Sequence, residues 1–174
     1  MAQQSHGAAV HLASMRTAII FDLDGTICNH EHRLHHVLAR PKEWEEFHDK
    51  CVDDTPNYYI TRLLAAVYDS PLDVFLCSGR PDSHRTVTER WLAHAGVKYH
   101  TLLMRKAGDR RPDVVAKFEM LQQIRATHIV LCAIDDRPSV LRMWRANGVP
   151  TLAVEGEAWD MDREEQRYVS PHYS

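Results

Sequence analysis

Three short stretches carry residues whose types and spacing could do chemistry. Residues 20–27 read IFDLDGTI, with Asp22 and Asp24 one residue apart between an apolar run and Gly25. Residues 76–80 read LCSGR, and residues 133–138 read AIDDRP, with Asp135 and Asp136 adjacent. Two carboxylate pairs in one place repel unless a positive charge sits between them. Such an all-oxygen donor set suits a hard divalent cation, most simply Mg²⁺ keeping several of its waters. Beside such an ion a carboxylate can attack a phosphoryl group and carry it as an acyl phosphate, splitting one difficult step into two. A carboxylate two residues on can protonate the leaving oxygen and then take a proton from the attacking water. Gly25 lets the backbone approach a phosphate, whose oxygens loop amides can bind. Ser78 can donate a hydrogen bond to a transferring phosphoryl oxygen, and a lysine can neutralise its developing charge. Either acidic pair alone would also serve as a helix cap; both together, with Ser78 and a later lysine, read as a site.

These stretches must be positioned by the elements between them. Thr17–Phe21 is an apolar run that ends at the first acidic pair and reads as a buried strand. Asp73–Ser78 reads as a second strand cut off by Gly79, Tyr99–Arg105 as a third, His128–Ile134 as a fourth, and residues 150–154 (PTLAV) as a fifth. Helices are expected between them. Asn57–Tyr68 places Ile60, Leu63, Leu64 and Val67 on one face, and Ser83–Ala95 stops at Gly96. Asp113–Arg125 keeps Val114, Phe118 and Leu121 in register, and Ser139–Ala146 ends at Asn147-Gly148. Strands alternating with helices imply a parallel sheet covered on both faces, with the ligand site beyond the carboxyl ends of the strands. Three of the expected strands end in the three loaded stretches. Between residues 29 and 56 the chain is polar and irregular, with Trp44, Phe47 and Cys51 at helical spacing. That insert is too short for a full cap domain; a small cap leaves the cleft open to a polymer end.

Composition bounds the rest. The 174 residues fit one domain, spanning 16–174, with residues 1–15 expected to be a disordered extension or an expression remnant. Lys+Arg (21) and Asp+Glu (24) nearly cancel, which excludes a strongly basic nucleic-acid binder. The four cysteines form no C-x-x-C pair and read as reduced thiols of a cytoplasmic protein. No apolar run approaches a membrane span, and no G-x-x-x-x-G-K-[ST] phosphate loop is present.

FDLDGT, LCSGR, a downstream lysine and AIDDRP resemble the four ordered motifs of the haloacid dehalogenase (HAD) superfamily, over nearly all of residues 17–155. The resemblance implies a Rossmann-like HAD fold, three layers (α/β/α) around a central parallel sheet, with a small cap insert after the first strand. It implies Asp22 as nucleophile and Asp24 as general acid/base. The metal set would be Asp22, Asp135 and the Asp24 backbone carbonyl, with Asp136 acting through the metal or its waters. Dehalogenase members lack the second aspartate of the first motif, so Asp24 points to phosphate chemistry. SGR, MRKAGDRRPDVVAKFEML and AIDDRPSVLRMWRANGV look more narrowly like the 3′-phosphatase domain of phage polynucleotide kinase–phosphatase. In that family the catalytic lysine follows an aspartate by four residues on a helix. Asp113 and Lys117 fit, since i and i+4 share a helical face; Lys106, in a Gly-containing loop, is the competitor. Ser78, Gly79 and Arg80 are then expected at the phosphate, with Arg33 in a similar part. The family's bifunctional members carry a kinase domain before the phosphatase that these residues do not contain, so separate kinase or ligase partners are expected.

Other features have plainer readings beside the functional ones. His32 and His36 have zinc-compatible spacing if helical, but no third ligand is evident. Trp44 could stack a base or join the core, whereas Trp144, spaced helically with Val140 and Leu141, reads as core. The basic loop GDRRPD (residues 108–113) could bind a nucleic-acid backbone or simply be polar. The expected activity is a Mg²⁺-dependent phosphomonoesterase acting on 3′-phosphate ends of DNA or RNA. A nucleoside monophosphate phosphatase needs the same core residues, and a catalytically quiet binding module on the same fold is the alternative of another class.

Overall fold

The computed structural model describes residues 15–155. The expected N-terminal extension, apart from Met15, and the charged tail after Glu155 lie outside the described residues. The chain runs β1 (Arg16–Phe21), a short strand β2 (Cys28–Asn29), helices α1 (Leu34–Leu38) and α2 (Trp44–Asp49), and strand β3 (Thr55–Pro56). It continues through α3 (Tyr58–Tyr68), β4 (Asp73–Pro81), α4 (Arg85–His94), β5 (Thr101–Arg105), α5 (Asp113–Arg125), β6 (His128–Asp135), α6 (Pro138–Ala146) and β7 (Thr151–Ala153). Five strands form a wholly parallel sheet in the order β5-β4-β1-β6-β7, and β2 and β3 pair as a separate antiparallel ribbon.

Alternation along β1 shows why the sheet sits between two helical layers. Ala18 and Ile20 pack with Val114 and Leu121 of α5 and Val140 and Trp144 of α6. Ile19 and Phe21 point the other way, onto Leu64 of α3 and Trp91 and Leu92 of α4. A central strand buried on both faces must be apolar at every position, as residues 18–21 are. Trp144 is fully buried, which answers the sequence question in favour of core. The fold is the Rossmann-like three-layer arrangement expected from the strand and helix alternation.

Some boundaries differ from the sequence reading. β4 does not stop at Gly79 but continues to Pro81, which pairs with Arg105 of β5 across a register shift. Glycine ends an apolar run in sequence, but here the sheet partner continues and holds the strand. β5 starts at Thr101 rather than Tyr99. On α3 only Leu64 is buried, and Leu63 is largely exposed. Adjacent helical residues are about 100° apart around the axis, so Leu64 takes the core and Leu63 falls at the stripe's edge.

The segment expected to be irregular contains α1, α2 and two 3₁₀ turns, Glu31–Arg33 and Lys50–Asp53. Leu34, Val37 and Phe47 give it a small apolar cluster of its own. No helix of the described residues is long and apolar enough to cross a membrane. Leu121 lies in the larger cluster and is fully buried. Leu121→Ala should lower the unfolding free energy by about 2–5 kcal/mol, read as a fall in the urea midpoint at unchanged slope.

Candidate active site

β1 is the middle strand, and β4 and β6 flank it, so the three loaded stretches meet at one end of the sheet. Phe21 is level with Leu76 and Ile134, which sets Asp22 beside the end of β6 and just before the end of β4 at residues 78–81. α5 begins at Asp113 and brings Lys117 under them one turn later. Lys117 Nζ lies 2.8 Å from Asp22 Oδ1, 2.9 Å from Asp135 Oδ2 and 3.4 Å from Asp113 Oδ2. The lysine is 2% exposed, so these three carboxylates replace its water. Asp113 is also held by Arg105 Nη2 at 3.0 Å and faces Arg137 Nη1 at 3.7 Å. Gly79 permits this approach, because a Cβ there would overlap Asp113 Oδ1. Trp144 Nε1 donates to Asp135 Oδ2 at 3.3 Å and fixes it from the core side.

Asp24 belongs to a second buried group. Arg80 Nη2 donates to Asp24 Oδ1 at 2.6 Å and to Asp54 Oδ2 at 2.8 Å. Arg33 donates to Asp24 Oδ1, and to Asp54 through Nε at 2.7 Å and Nη2 at 2.6 Å. Both arginines are fully buried. Two guanidiniums facing two carboxylates make this group neutral overall, which allows four charges to leave water together. Cys28 Sγ lies among them, 3.2 Å from Asp54 Oδ2.

The two aspartates of the first motif therefore sit in opposite electrostatic settings. Burial pushes Asp22 well above the usual carboxylate range; Lys117 opposes it, while Asp135, Asp136 and Asp113 add to it. For Asp24 burial works in the same direction, but Arg80 and Arg33 outweigh it and hold the carboxyl well below the usual range. Burial likewise works against the charge on Lys117, and Asp113, Asp135 and Asp22 more than offset it, so the ammonium is retained.

Oxygens of Asp22, Asp135 and Asp136 come within 4.8 Å of one another. Three carboxylates at that spacing, with no nitrogen or sulfur donor among them, are a donor set suited to a hard cation such as Mg²⁺. Asp24 is not in this group through its side chain. Gly25 has φ +83° and lies so close to Asp136 that a Cβ would overlap Oδ2. Thr26 Oγ1 donates to Asp136 Oδ1 at 3.3 Å. Asp22, Asp136 and Lys117 line a cleft of about 970 Å³, with Trp44 and His48 of α2 and Arg110 of the loop before α5 also in its wall.

The structure thus gathers Asp22, Asp113, Lys117, Asp135 and Asp136, with Asp24 also lining the cleft and Arg33 and Arg80 buried behind it. Ser78 is fully buried, and its Oγ accepts from Arg80 N at 3.1 Å. Arg33 and Arg80 do not line the cleft in this arrangement; their donors are directed at Asp24 and Asp54. His32 and His36 do not converge on one point: His32 Nε2 meets Asp54 Oδ1 at 2.9 Å and His36 Nδ1 meets Glu43 Oε2 at 2.7 Å. Sequence reasoning missed Asp54 and Arg105. Nothing local separates Asp54 from Asp53, whereas Arg105, a charge closing the apolar run TLLM, carried the same strand-end signal as the acidic pairs.

Comparison with known proteins agrees with this geometry. The family model described as the polynucleotide kinase PNKP phosphatase domain matches residues 16–159. The chain belongs to this phosphatase-domain family. A protein of Autographa californica nuclear polyhedrosis virus, assigned as a bifunctional polynucleotide kinase/RNA ligase, is 28% identical over 140 residues, 78% of this chain and 19% of the viral one. In the solved Pnkp1/Rnl/Hen1 RNA repair complex, one chain matches with 31% identity and a TM-score of 0.71, over 81% of this chain and 43% of that one. This family member therefore spans less than half the length of either relative. The class C acid phosphatase of Bacillus anthracis, solved with tungstate bound, shares the fold at 14% identity and a TM-score of 0.63, over 93% of this chain and 79% of that one. The chain is a HAD-type phosphatase domain, and the acidic group at the ends of β1 and β6 is one that could bind a metal.

The buried four-charge group gives a stability test. Asp54→Ala leaves Arg33 and Arg80 with one acid between them and should cost about 3–5 kcal/mol, seen as a lowered denaturant midpoint. Asp54→Asn, which keeps part of the hydrogen bonding, should cost less.

Proposed function

We propose that this domain is a Mg²⁺-dependent polynucleotide 3′-phosphatase that works through a phosphoryl group carried on Asp22. The observation that carries the reading is the Asp22 carboxylate beside Lys117 and within the Asp22/Asp135/Asp136 group, at the floor of a cleft, in a chain of the polynucleotide kinase phosphatase-domain family. Asp22, Asp135 and Asp136 would hold the cation, together with the backbone carbonyl of Asp24. A magnesium ion bound there supplies the positive charge that keeps Asp22 ionised and offsets charge on the phosphoryl oxygens.

The protein's own groups divide the remaining work. Lys117, fixed by three carboxylates, presents Asp22 through Oδ1 and adds a positive charge where phosphoryl charge develops. Asp113 and Trp144 keep this arrangement rigid, from α5 and α6. Asp24, drawn to Arg80 and Arg33, is held as a carboxylate, the state needed to accept a proton from the water that attacks the phosphorylated Asp22. Asp24 lines the cleft with Asp22, and protonating the departing 3′-oxygen requires it first to take up a proton from solvent, against the pull of Arg80 and Arg33. Gly79 lines the cleft and would meet phosphate through its backbone, while Ser78 and Arg80, buried behind it, would act by holding that backbone and Asp24 in place. The helical insert of residues 29–56 serves as a small cap that leaves room for a polymer end. The bifunctional viral relative and the RNA repair complex support action beside kinase and ligase activities, and the buried thiols of Cys28, Cys51 and Cys77 fit a cytoplasmic setting.

With Mg²⁺, the purified protein should release phosphate from a 3′-phosphorylated oligonucleotide, and chelation or Asp22→Asn should lower the rate by at least about 10³-fold. Release from nucleoside monophosphates but not from oligonucleotides would establish the nucleotidase instead. No release from any phosphomonoester would favour a binding module.

A further inference from the structure

Trp44 is 45% exposed, while Phe47, three residues on in the same short helix, is 2% exposed. Core packing explains the second ring and not the first. Trp44 lines the same cleft as Asp22. The indole is nonetheless held: its ring meets Phe47 edge-on at 6.0 Å and 90°, and lies nearly parallel to His48 at 6.0 Å and 20°. His48 in turn packs against His84 at 5.3 Å between centroids. Lys42 Nζ lies 5.3 Å from the indole centroid and adds positive charge beside it. Phe47, under this wall, carries Arg33 over its ring at 4.2 Å, so the wall is braced on the group that holds Asp24.

The loop 106–112 supplies another part of the lining. Its Arg111 is engaged by Asp109 and Glu119, and Arg105, which closes β5, is engaged by Gly79 and Asp113. Arg110 lines the cleft, is exposed, and makes no hydrogen bond or ion pair among the described residues. A cation without a protein partner beside a braced, half-exposed indole matches the two repeating parts of a nucleic-acid strand. Every nucleobase offers a π-face to an aromatic ring, and every linkage offers a phosphate to a guanidinium.

We propose that Trp44 is the stacking surface for the nucleobase of the terminal nucleotide, and that Arg110 binds the backbone phosphate next inward from the end. This rests on the polynucleotide reading above and names the parts of the strand that the site reads. Trp44 would favour ends that carry a base, without choosing among bases, and Arg110 would favour a strand over a single nucleotide.

The test uses two 3′-phosphorylated oligonucleotides that differ only at the last position, 2-aminopurine in one and an abasic sugar in the other. Wild type should prefer the 2-aminopurine end. Trp44→Ala should raise KM for that end by about tenfold or more and erase the preference, while Trp44→Phe keeps most of it. Arg110→Ala should raise KM on both oligonucleotides, lower the salt slope of binding by about one, and matter less on a nucleoside 3′-phosphate. In an Asp22→Asn background, which leaves the substrate whole, binding should quench 2-aminopurine fluorescence, and adding Trp44→Ala should remove the quench. Equal losses on the two ends, or a quench that survives Trp44→Ala, would overturn the stacking role. An Arg110→Ala salt slope equal to that of wild type would overturn the phosphate contact. No phosphate release by wild type from either oligonucleotide would sink the phosphatase reading, with the quench still deciding the stacking surface on its own.

Discussion

One buried ammonium holds the site together. Lys117 has given up water for three carboxylates, from the residue after β1, from the start of α5 and from the end of β6. Removing the lysine would leave like charges facing one another in a low dielectric; removing the acids would leave a buried cation. Each is stable only because the other is present, and that constraint fixes where α5 must lie relative to the sheet. The glycine at position 79 follows from it too, since Asp113 reaches Lys117 only by passing where a side chain at 79 would stand.

A second balanced group does for the helical insert what Lys117 does for the sheet. Arg33 and Asp54 belong to the segment between β1 and α3, while Arg80 comes from β4 and Asp24 from the loop after β1. Their mutual neutralisation ties the insert to the core, and Phe47 under Arg33 extends the tie to the cleft wall. The insert's apolar cluster is only Leu34, Val37 and Phe47, so the buried ion pairs set its position more than its hydrophobic contacts do. Asp22 and Asp24, two residues apart, are thus separated in chemistry by what packs against them. One is kept near a cation site and pushed toward its neutral form by burial; the other is kept ionised by two guanidiniums.

Much of this was legible in the chain because it is local or periodic. The apolar run of β1, the 3.6-residue pattern of α5 and the carboxylates closing β1 and β6 can be read without knowing what touches what. The Asp113–Lys117 pair is the one the family resemblance favours over Lys106, and helical spacing fits it, since i and i+4 share a face. The end of β4 lies beyond the sequence expectation because a glycine after an apolar run ends a strand unless a neighbour continues the ladder, and that neighbour is set by topology. In the insert the helical spacing of Trp44, Phe47 and Cys51 marks the helix Trp44–Asp49, whereas Leu34–Leu38, five residues long, is too short for a periodic signal.

The sequence by itself determined which carboxylates could stand at adjacent strand ends, since residue type, order and spacing decide that; between Lys117 and Lys106 the structure chose, by burying Lys117 among three acids. Nor could the sequence determine what Arg33, Arg80 and Asp54 do. Their partners are up to 56 residues away, and a buried guanidinium reads in sequence like one on the surface. Only the tertiary structure decided that these arginines clamp Asp24 from behind the cleft it lines, and that Trp44 faces the cleft while Trp144 fills the core. Pairing across elements depends on the packing of the sheet and its helices, which no local pattern records.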